Sequence, residues 1–419
     1  MKKIILSLII VLSSLILCGT MVFGYPIDGY EWTGIRRLLR LHLILEGKLR
    51  GGAPLPGARK SIADIKLNLM DERGDALAQL PSVDPVLQKQ IDALFPDRHE
   101  SYSIAVVDIT PGRSVRFAER RADRGFPPGS VGKLAIAGGL FTELKNLHPD
   151  SLEKRRALLR TRMVVADKWI MSDHHEVPIF DPESNTSAFR PAREQDVFSL
   201  YEWTDHMLSA SANSAASIVW KEVILMRAFG KKYPPTPEEE KEFFEKTKKN
   251  ALGDMALSGV NDPLRAVGIA QEEWHLGNFF TSEGKKRVPG SGGSMGTPIG
   301  LIKFLIAIER GVFVDQFSSL EIKRLLYMTA RRIRYASSPA LDKAALYFKS
   351  GSQYKCTPEI NFTCGKYKGN AENYMNSVAI VEHPDGRTYM VALMSNVLRK
   401  NSAVDHQTIA TQIDRILAR

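Results

Sequence analysis

The chain has 419 residues, 57 Lys and Arg against 47 Asp and Glu, a formal net charge of +10, 44% hydrophobic residues and 3 Cys. This composition excludes a small disulfide scaffold, a collagen-like repeat and a chain too polar to fold. The length fits two or three domains, or one large domain with insertions. Basic residues are spread along the chain without a nucleic-acid-binding motif, so nucleic acid is not expected as a partner.

The first 24 residues have the pattern of a secretory signal peptide. Lys2 and Lys3 precede an uncharged apolar run at 4–23, and Gly24 supplies a small residue at the expected cleavage position. We therefore expect an exported protein, either periplasmic or secreted. The run is also long enough to span a bilayer, so an uncleaved anchor that holds the protein at the membrane stays open as an alternative.

Residues 25–99 are predicted to form a leader ahead of the main domain. The segment 35–49 mixes apolar positions with Arg36, Arg37 and Arg40, which indicates a basic amphipathic helix. Such a helix lies on a membrane surface or packs on its own domain, and packing is the commoner outcome. Glycines and prolines at 51–57 indicate a linker.

Residues 100–419 have the pattern of one α+β domain. Strands are predicted at 103–108 and 114–117, a helix at 132–144, and largely helical sequence from there to about 335. Three strands follow, at 345–349, 377–381 and 388–394, and then a helix at 406–417. Strands at both ends predict one five-stranded antiparallel sheet with flanking helices, from which a helical subdomain at about 134–335 is inserted.

Two insertions interrupt the helical part. The segment 231–250 is rich in proline and charge, and it is predicted to be a solvated helix or a flexible excursion. The segment 173–193 is predicted to be a surface loop. It begins with Asp173-His174-His175-Glu176, but adjacent residues do not all face one ion, so no metal site is expected there.

Cys356 and Cys364 are the cysteines that would remain after removal of the signal. They form an even pair, and an exported protein matures in an oxidising compartment. We therefore predict a short-loop disulfide between them, with two free thiols as the alternative.

Three short motifs carry the chemistry. Ser130-Val131-Gly132-Lys133 opens the apolar helix, so a hydroxyl and an amine share one face near helix amides that favour an oxyanion. Ser211-Ala212-Asn213 is a polar break between helical segments that presents a hydroxyl and a carboxamide. Lys349-Ser350-Gly351-Ser352 is predicted at a strand end, where a lysine and hydroxyls face an anion and Gly351 lets a substrate backbone approach. Each motif alone also fits a cap, an interhelical break or a strand end.

Together and in this order, the motifs resemble the Ser-x-x-Lys, Ser-Asp-Asn and Lys-Thr-Gly set of penicillin-binding proteins and class A β-lactamases. The resemblance covers roughly residues 102–419 and implies the serine β-lactamase-like fold. It implies that Ser130 is acylated, that Lys133 activates it, and that Ser211 relays the proton. It also implies a set of substrate-binding groups: Asn213, Lys349, Ser350, Gly351, and the amides of Ser130 and Ser352 as an oxyanion hole. No metal or organic cofactor is implied.

The sequence departs from this family pattern in three places. Ala212 replaces Asp and Ser350 replaces Thr, and both changes are mild. The family's Glu-x-x-Leu-Asn loop, which activates the deacylating water, has one near match, Glu273-x-x-Leu276, with the asparagine one place late. Glu273 is therefore either that base or an ordinary loop carboxylate.

The expected function is that of an exported serine hydrolase of the class A β-lactamase type, which opens a β-lactam amide through an acyl-serine. A cell-wall DD-peptidase or penicillin-binding protein of the same fold is the first alternative. It would act on a cell-wall peptide and turn over β-lactams slowly, as expected if the water base is missing. A non-catalytic envelope module is the second alternative.

Overall fold

The computed structural model describes residues 26–52 and 54–419. The predicted signal at 1–24 lies outside these described residues. Within them, every helix is too short or too polar to cross a membrane.

The secondary structure is mixed. The strands of the described residues are β1 (Ser103–Asp108), β2 (Arg116–Arg120), β3 (Met163–Val165), β4 (Glu176–Asp181), β5 (Thr186–Pro191), β6 (Val197–Ser199), β7 (Trp274–His275), β8 (Met295–Gly296), β9 (Ala345–Lys355), β10 (Glu372–Glu382) and β11 (Thr388–Asn396). The helices are α1 (Gly29–Thr33), α2 (Arg36–Leu45), α3 (Glu72–Ala76), α4 (Pro85–Asp92), α5 (Lys133–Leu147), α6 (Leu152–Thr161), α7 (Leu200–Leu208), α8 (Asn213–Phe229), α9 (Pro237–Lys246), α10 (Lys249–Ala266), α11 (Ser282–Arg287), α12 (Pro298–Glu309), α13 (Gln316–Tyr327) and α14 (Ala403–Leu417).

The central sheet has five antiparallel strands in the order β2-β1-β11-β10-β9. Strands from both ends of the domain therefore meet in one sheet, which confirms the predicted fold class. All six residues of β1 are buried, because helices cover both faces of the sheet. Ile104 and Val106 pack in one core with Ile409 and Ile413 of α14, and alternate residues of β1 face the larger core of the helical subdomain.

The leader packs on this domain. Leu38 and Leu41 of α2 are buried in the larger core, and Leu87 of α4 is buried in the smaller one. Arg37 of α2 forms a buried ion pair with Asp205 of α7, with 2.5 Å between nitrogen and oxygen. The basic helix predicted from the sequence therefore packs on its own domain.

Two sequence predictions were wrong in detail. The segment 173–193 is not a loop, because β4 and β5 pair as an antiparallel hairpin. The side chains of β5 are mostly exposed, so this strand lacks the apolar alternation that would have indicated it. The third motif is not at a strand end either, because β9 continues to Lys355.

The other insertion contains a helix. Residues 231–250 include α9, which begins with a capping box at Thr236 and packs its Phe244 ring 5.1 Å from the ring of Trp169. Cys356 and Cys364 form a disulfide just beyond β9, with their Cα atoms 6.2 Å apart.

Candidate active site

The three motifs meet in a cleft with a volume of about 1040 Å³. It lies between the edge strand β9, the turn before α5, the turn before α8 and the β4–β5 hairpin. The predicted site residues that line it are Ser130, Ser211, Asn213, Lys349, Ser350, Gly351 and Ser352. Lys133 lies beneath them and is fully buried.

The turn that carries Ser130 packs directly on β9. Gly129 has a positive φ of 53°, and a β-carbon there would lie 2.8 Å from the Ser352 nitrogen. A β-carbon on Gly351 would in turn lie 2.9 Å from the Ser130 nitrogen. Both positions therefore require glycine, and the close approach brings the amides of Ser130 and Ser352 to neighbouring positions in the cleft.

Lys133 lies at the centre of a buried hydrogen-bond network. Its Nζ is 3.0 Å from Ser130 Oγ, 2.7 Å from Asn213 Oδ1 and 2.5 Å from the Ser211 carbonyl oxygen. Burial lowers the pKa of Lys133 to about 7, although the charge of Asp173 raises it in part. An amine with this pKa is partly neutral near pH 7, so it can accept the proton of a hydroxyl group.

Ser211 lies between two lysines. Its backbone has a positive φ of 64°, and its carbonyl faces Lys133 while its Oγ accepts a hydrogen bond of 2.8 Å from Lys349. Burial, together with the charges of Lys133 and Arg334, holds the pKa of Lys349 well below its usual range. An anion bound here would restore the charge of Lys349 by offsetting these effects.

Sequence reasoning missed Arg334. Its side chain lines the cleft, is largely buried, and donates a hydrogen bond of 2.6 Å to the carbonyl of Gly351. The guanidinium also lies 5.2 Å from the centre of the Tyr367 ring. Arg334 thus adds a second basic side chain beside Lys349. Sequence reasoning could not find it, because its partner Gly351 lies 17 residues later and no local pattern links the two.

Asp173 was placed by the sequence in a surface loop. Its carboxylate is in fact only 3% exposed and lines the cleft. In the described part of the chain, no group of three or more His, Cys, Asp or Glu is arranged to hold a metal ion.

Glu273 is not brought to the cleft. Its carboxylate pairs with Lys303 of α12 and accepts a hydrogen bond of 2.8 Å from the backbone of Ala270. The cleft wall beyond it is formed instead by Asn278, Phe279 and Phe280, and the Phe280 ring lies 5.0 Å from Lys133 Nζ.

Solved structures share this architecture. A class A β-lactamase from Bacteroides cellulosilyticus is 16% identical, with a TM-score of 0.50, over 79% of this chain and 95% of that one. A mutant of PBP-A, an acyl-enzyme complex with penicillin G, is 14% identical, with a TM-score of 0.50, over 81% and 99%. The TLA-1 extended-spectrum β-lactamase is 13% identical, with a TM-score of 0.51, over 80% and 98%.

These similarities show that the chain has the serine β-lactamase-like fold. No protein-family model matches the sequence, and no curated protein matches it significantly.

Proposed function

We propose that the chain is a serine enzyme that is acylated at Ser130 by β-lactams or by a cell-wall peptide, and that releases the acyl group slowly. The observation that carries this proposal is the contact of 3.0 Å between Ser130 Oγ and the buried Nζ of Lys133. A hydroxyl held against a partly neutral amine is an activated nucleophile.

Acylation uses three groups in sequence. Lys133 accepts the proton of Ser130 while Oγ bonds to the amide carbon, and the amides of Ser130 and Ser352 stabilise the oxyanion. The C–N bond then breaks, and the leaving nitrogen receives a proton through the Ser211 hydroxyl. Ser211 is suited to this relay because its Oγ accepts a hydrogen bond from Lys349, which can replace the proton that the hydroxyl gives up. The Ser211 carbonyl also holds Lys133 close to the site.

The cationic end of the cleft supports an anionic substrate. Lys349 and Arg334 are both largely buried beside Gly351 and Ser350, so a substrate carboxylate would meet two cations with little competing water. β-Lactams and the C-terminus of a cell-wall peptide each carry a carboxylate near the amide to be cleaved.

The position of Glu273 favours slow release over rapid hydrolysis. Its carboxylate is held by Lys303 and the Ala270 amide, away from the cleft lining. The ring of Phe280 lies next to Lys133 and offers no group that can activate water. This favours a penicillin-binding protein or peptidase over an efficient β-lactamase.

We further infer that the protein works outside the cytoplasm. The signal-like pattern of residues 1–24 and the Cys356–Cys364 disulfide support this inference. The same pattern supports membrane contact if the segment is retained.

The decisive experiment mixes the protein with a chromogenic cephalosporin and follows ring opening with time. We expect a burst of about one equivalent, set by one nucleophile per chain, followed by slow turnover. Ser130→Ala should abolish the burst, and Ser291→Ala, which removes an exposed serine outside the cleft, should keep it. Rapid steady turnover without a burst would instead identify an efficient β-lactamase, and no ring opening would identify a non-catalytic module.

A further inference from the structure

The segment ahead of the β4–β5 hairpin places a carboxylate at the start of α8. Asp173 Oδ2 accepts hydrogen bonds of 2.8 Å from both the backbone nitrogen and the Oγ of Ser214. Its Oδ1 lies 2.6 Å from Nδ1 of His175. The residue at the N-cap of α8 is Ala212, whose side chain makes no capping hydrogen bond. Asp173 therefore supplies from a distant segment the cap that Ala212 lacks.

This cap lies one residue from the acylation network. Asn213 precedes Ser214, and its Oδ1 accepts the hydrogen bond of 2.7 Å from Lys133 Nζ. Fixing Ser214 therefore fixes the first turn of α8, from which Asn213 reaches Lys133. The preceding residue pair, Ser211 and Ala212, is held in the same turn by a hydrogen bond of 3.0 Å from the Ala212 nitrogen to the carbonyl of His206.

Asp173 also differs in charge from its surroundings. Among the described residues, Asp173 and Glu176 are the carboxylates that line the cleft, and Glu176 is exposed whereas Asp173 is buried. The titratable groups around it are His175 on its own segment and Lys133 on α5, with Lys349 and Arg334 beyond Lys133. Three buried basic side chains therefore lie in or beneath the cleft with one buried carboxylate, and Lys133 and Lys349 among them have lowered pKa values.

We propose that Asp173 is a positioning residue of the acylation centre, which caps α8 in place of Ala212 and offsets the positive charge that Lys133 gains when it takes the proton of Ser130. The catalytic part of this proposal rests on the proposed function. No new bond is involved: the Ser130 proton moves to Lys133, and Asp173 stays ionised throughout.

The effect on Lys133 gives a test that does not require activity. The carboxylate raises the pKa of Lys133 against the effect of burial, so its removal should lower that pKa further. Asp173→Asn keeps an oxygen that can accept the Ser214 hydrogen bonds but removes the charge. A structural role alone would therefore leave the titration of Lys133 unchanged in this variant.

The measurement is an NMR titration of protein labelled with ¹³C at lysine Cε, in which Lys133→Met identifies the Lys133 signal. In the wild type we expect a midpoint near pH 7, and in Asp173→Asn a midpoint lower by about one pH unit. The matched control is Asp181→Asn, which removes an exposed carboxylate at the far end of β4 and should leave the midpoint unchanged. Coincident titrations of wild type and Asp173→Asn would overturn the proposal.

A second readout connects the charge to acylation. The acidic limb of the rate of labelling by penicillin should move to lower pH in Asp173→Asn by the same amount, because more Lys133 is neutral at a given pH. Asp173→Ala, which also removes the cap, should lose labelling rate by a further factor of about 10. A wild type that is not labelled at all would contradict the proposed function, whereas the NMR shift would still decide the role of Asp173.

Discussion

Two groups of buried lysines behave in opposite ways in this protein. Lys133 and Lys349 in the cleft contact hydroxyl, amide and carbonyl oxygens, and burial lowers the pKa of both. Lys323 is on α13, and its Nζ is 2.6 Å from Glu309 of α12 and 2.7 Å from Glu382 of β10. Burial acts to lower the pKa of Lys323 as well, but the two carboxylates outweigh it and raise the pKa.

The comparison shows what decides the charge of a buried amine. All three side chains are almost completely removed from solvent. A carboxylate at hydrogen-bond distance keeps the lysine a cation that links elements of the fold, whereas neutral partners leave an amine that can accept a proton. Lys221 follows the same rule as Lys323, because it pairs with Asp167 and Glu240 and its pKa is raised.

The largest expected contrast is in stability at neutral pH. Lys323→Met leaves Glu309 buried without its cation, so we expect a loss of about 3–5 kcal/mol. Glu382 keeps Lys60 as a second ion-pair partner. Lys133→Met removes an amine that has no carboxylate at hydrogen-bond distance, so we expect a change within about 1 kcal/mol. Urea unfolding at pH 7 measures both. Equal losses in the two variants would contradict the inferred difference between a charged Lys323 and a partly neutral Lys133.

A second contrast is expected in the pH dependence of stability. The pKa of Lys133 is about 7 in the folded protein against 10.5 as its ordinary value, so between these values the unfolded chain binds more protons. The wild type should therefore gain stability relative to Lys133→Met as the pH rises from 7 to 10. The pKa of Lys323 is raised in the folded protein. Its contribution to folding stability is therefore fully present below pH 10.5, its ordinary pKa, and is lost only at higher pH.

These slopes are measured by urea unfolding at several pH values between 7 and 10. The difference between wild type and Lys323→Met should be constant over this range. A constant difference for Lys133→Met as well would show that Lys133 is charged in the folded protein, against the role given to it here.

Much of the fold could be predicted because it depends on local patterns. The strand Ser103–Asp108 was predicted with the bounds that the structure has, since a short apolar run before a turn leaves little choice. The sheet followed from strands at both ends of the domain. The packing of the leader could not be resolved, because it depends on pairs such as Arg37 and Asp205 that are 168 residues apart.

The candidate site likewise combines residues whose positions follow from local sequence with residues whose positions depend on distant partners. Ser130 and Lys133 are three residues apart on one helix start, so their proximity follows from helix geometry. Asp173 could not be found in this way, because its partner Ser214 lies 41 residues away and its own segment reads as polar. Around Glu273 the residues nearly match a family motif, but Lys303, which holds the Glu273 carboxylate, lies 30 residues later on α12.

The intact mass of the protein after mixing with penicillin G shows directly whether Ser130 becomes acylated. Opening of the lactam by Ser130 adds the whole mass of the antibiotic, and we expect one such adduct per chain that persists from minutes to hours. Peptide mapping should place it on Ser130, and Lys133→Met should form it far more slowly. An adduct of equal yield in Ser130→Ala, or no adduct in a folded wild type, would contradict the account.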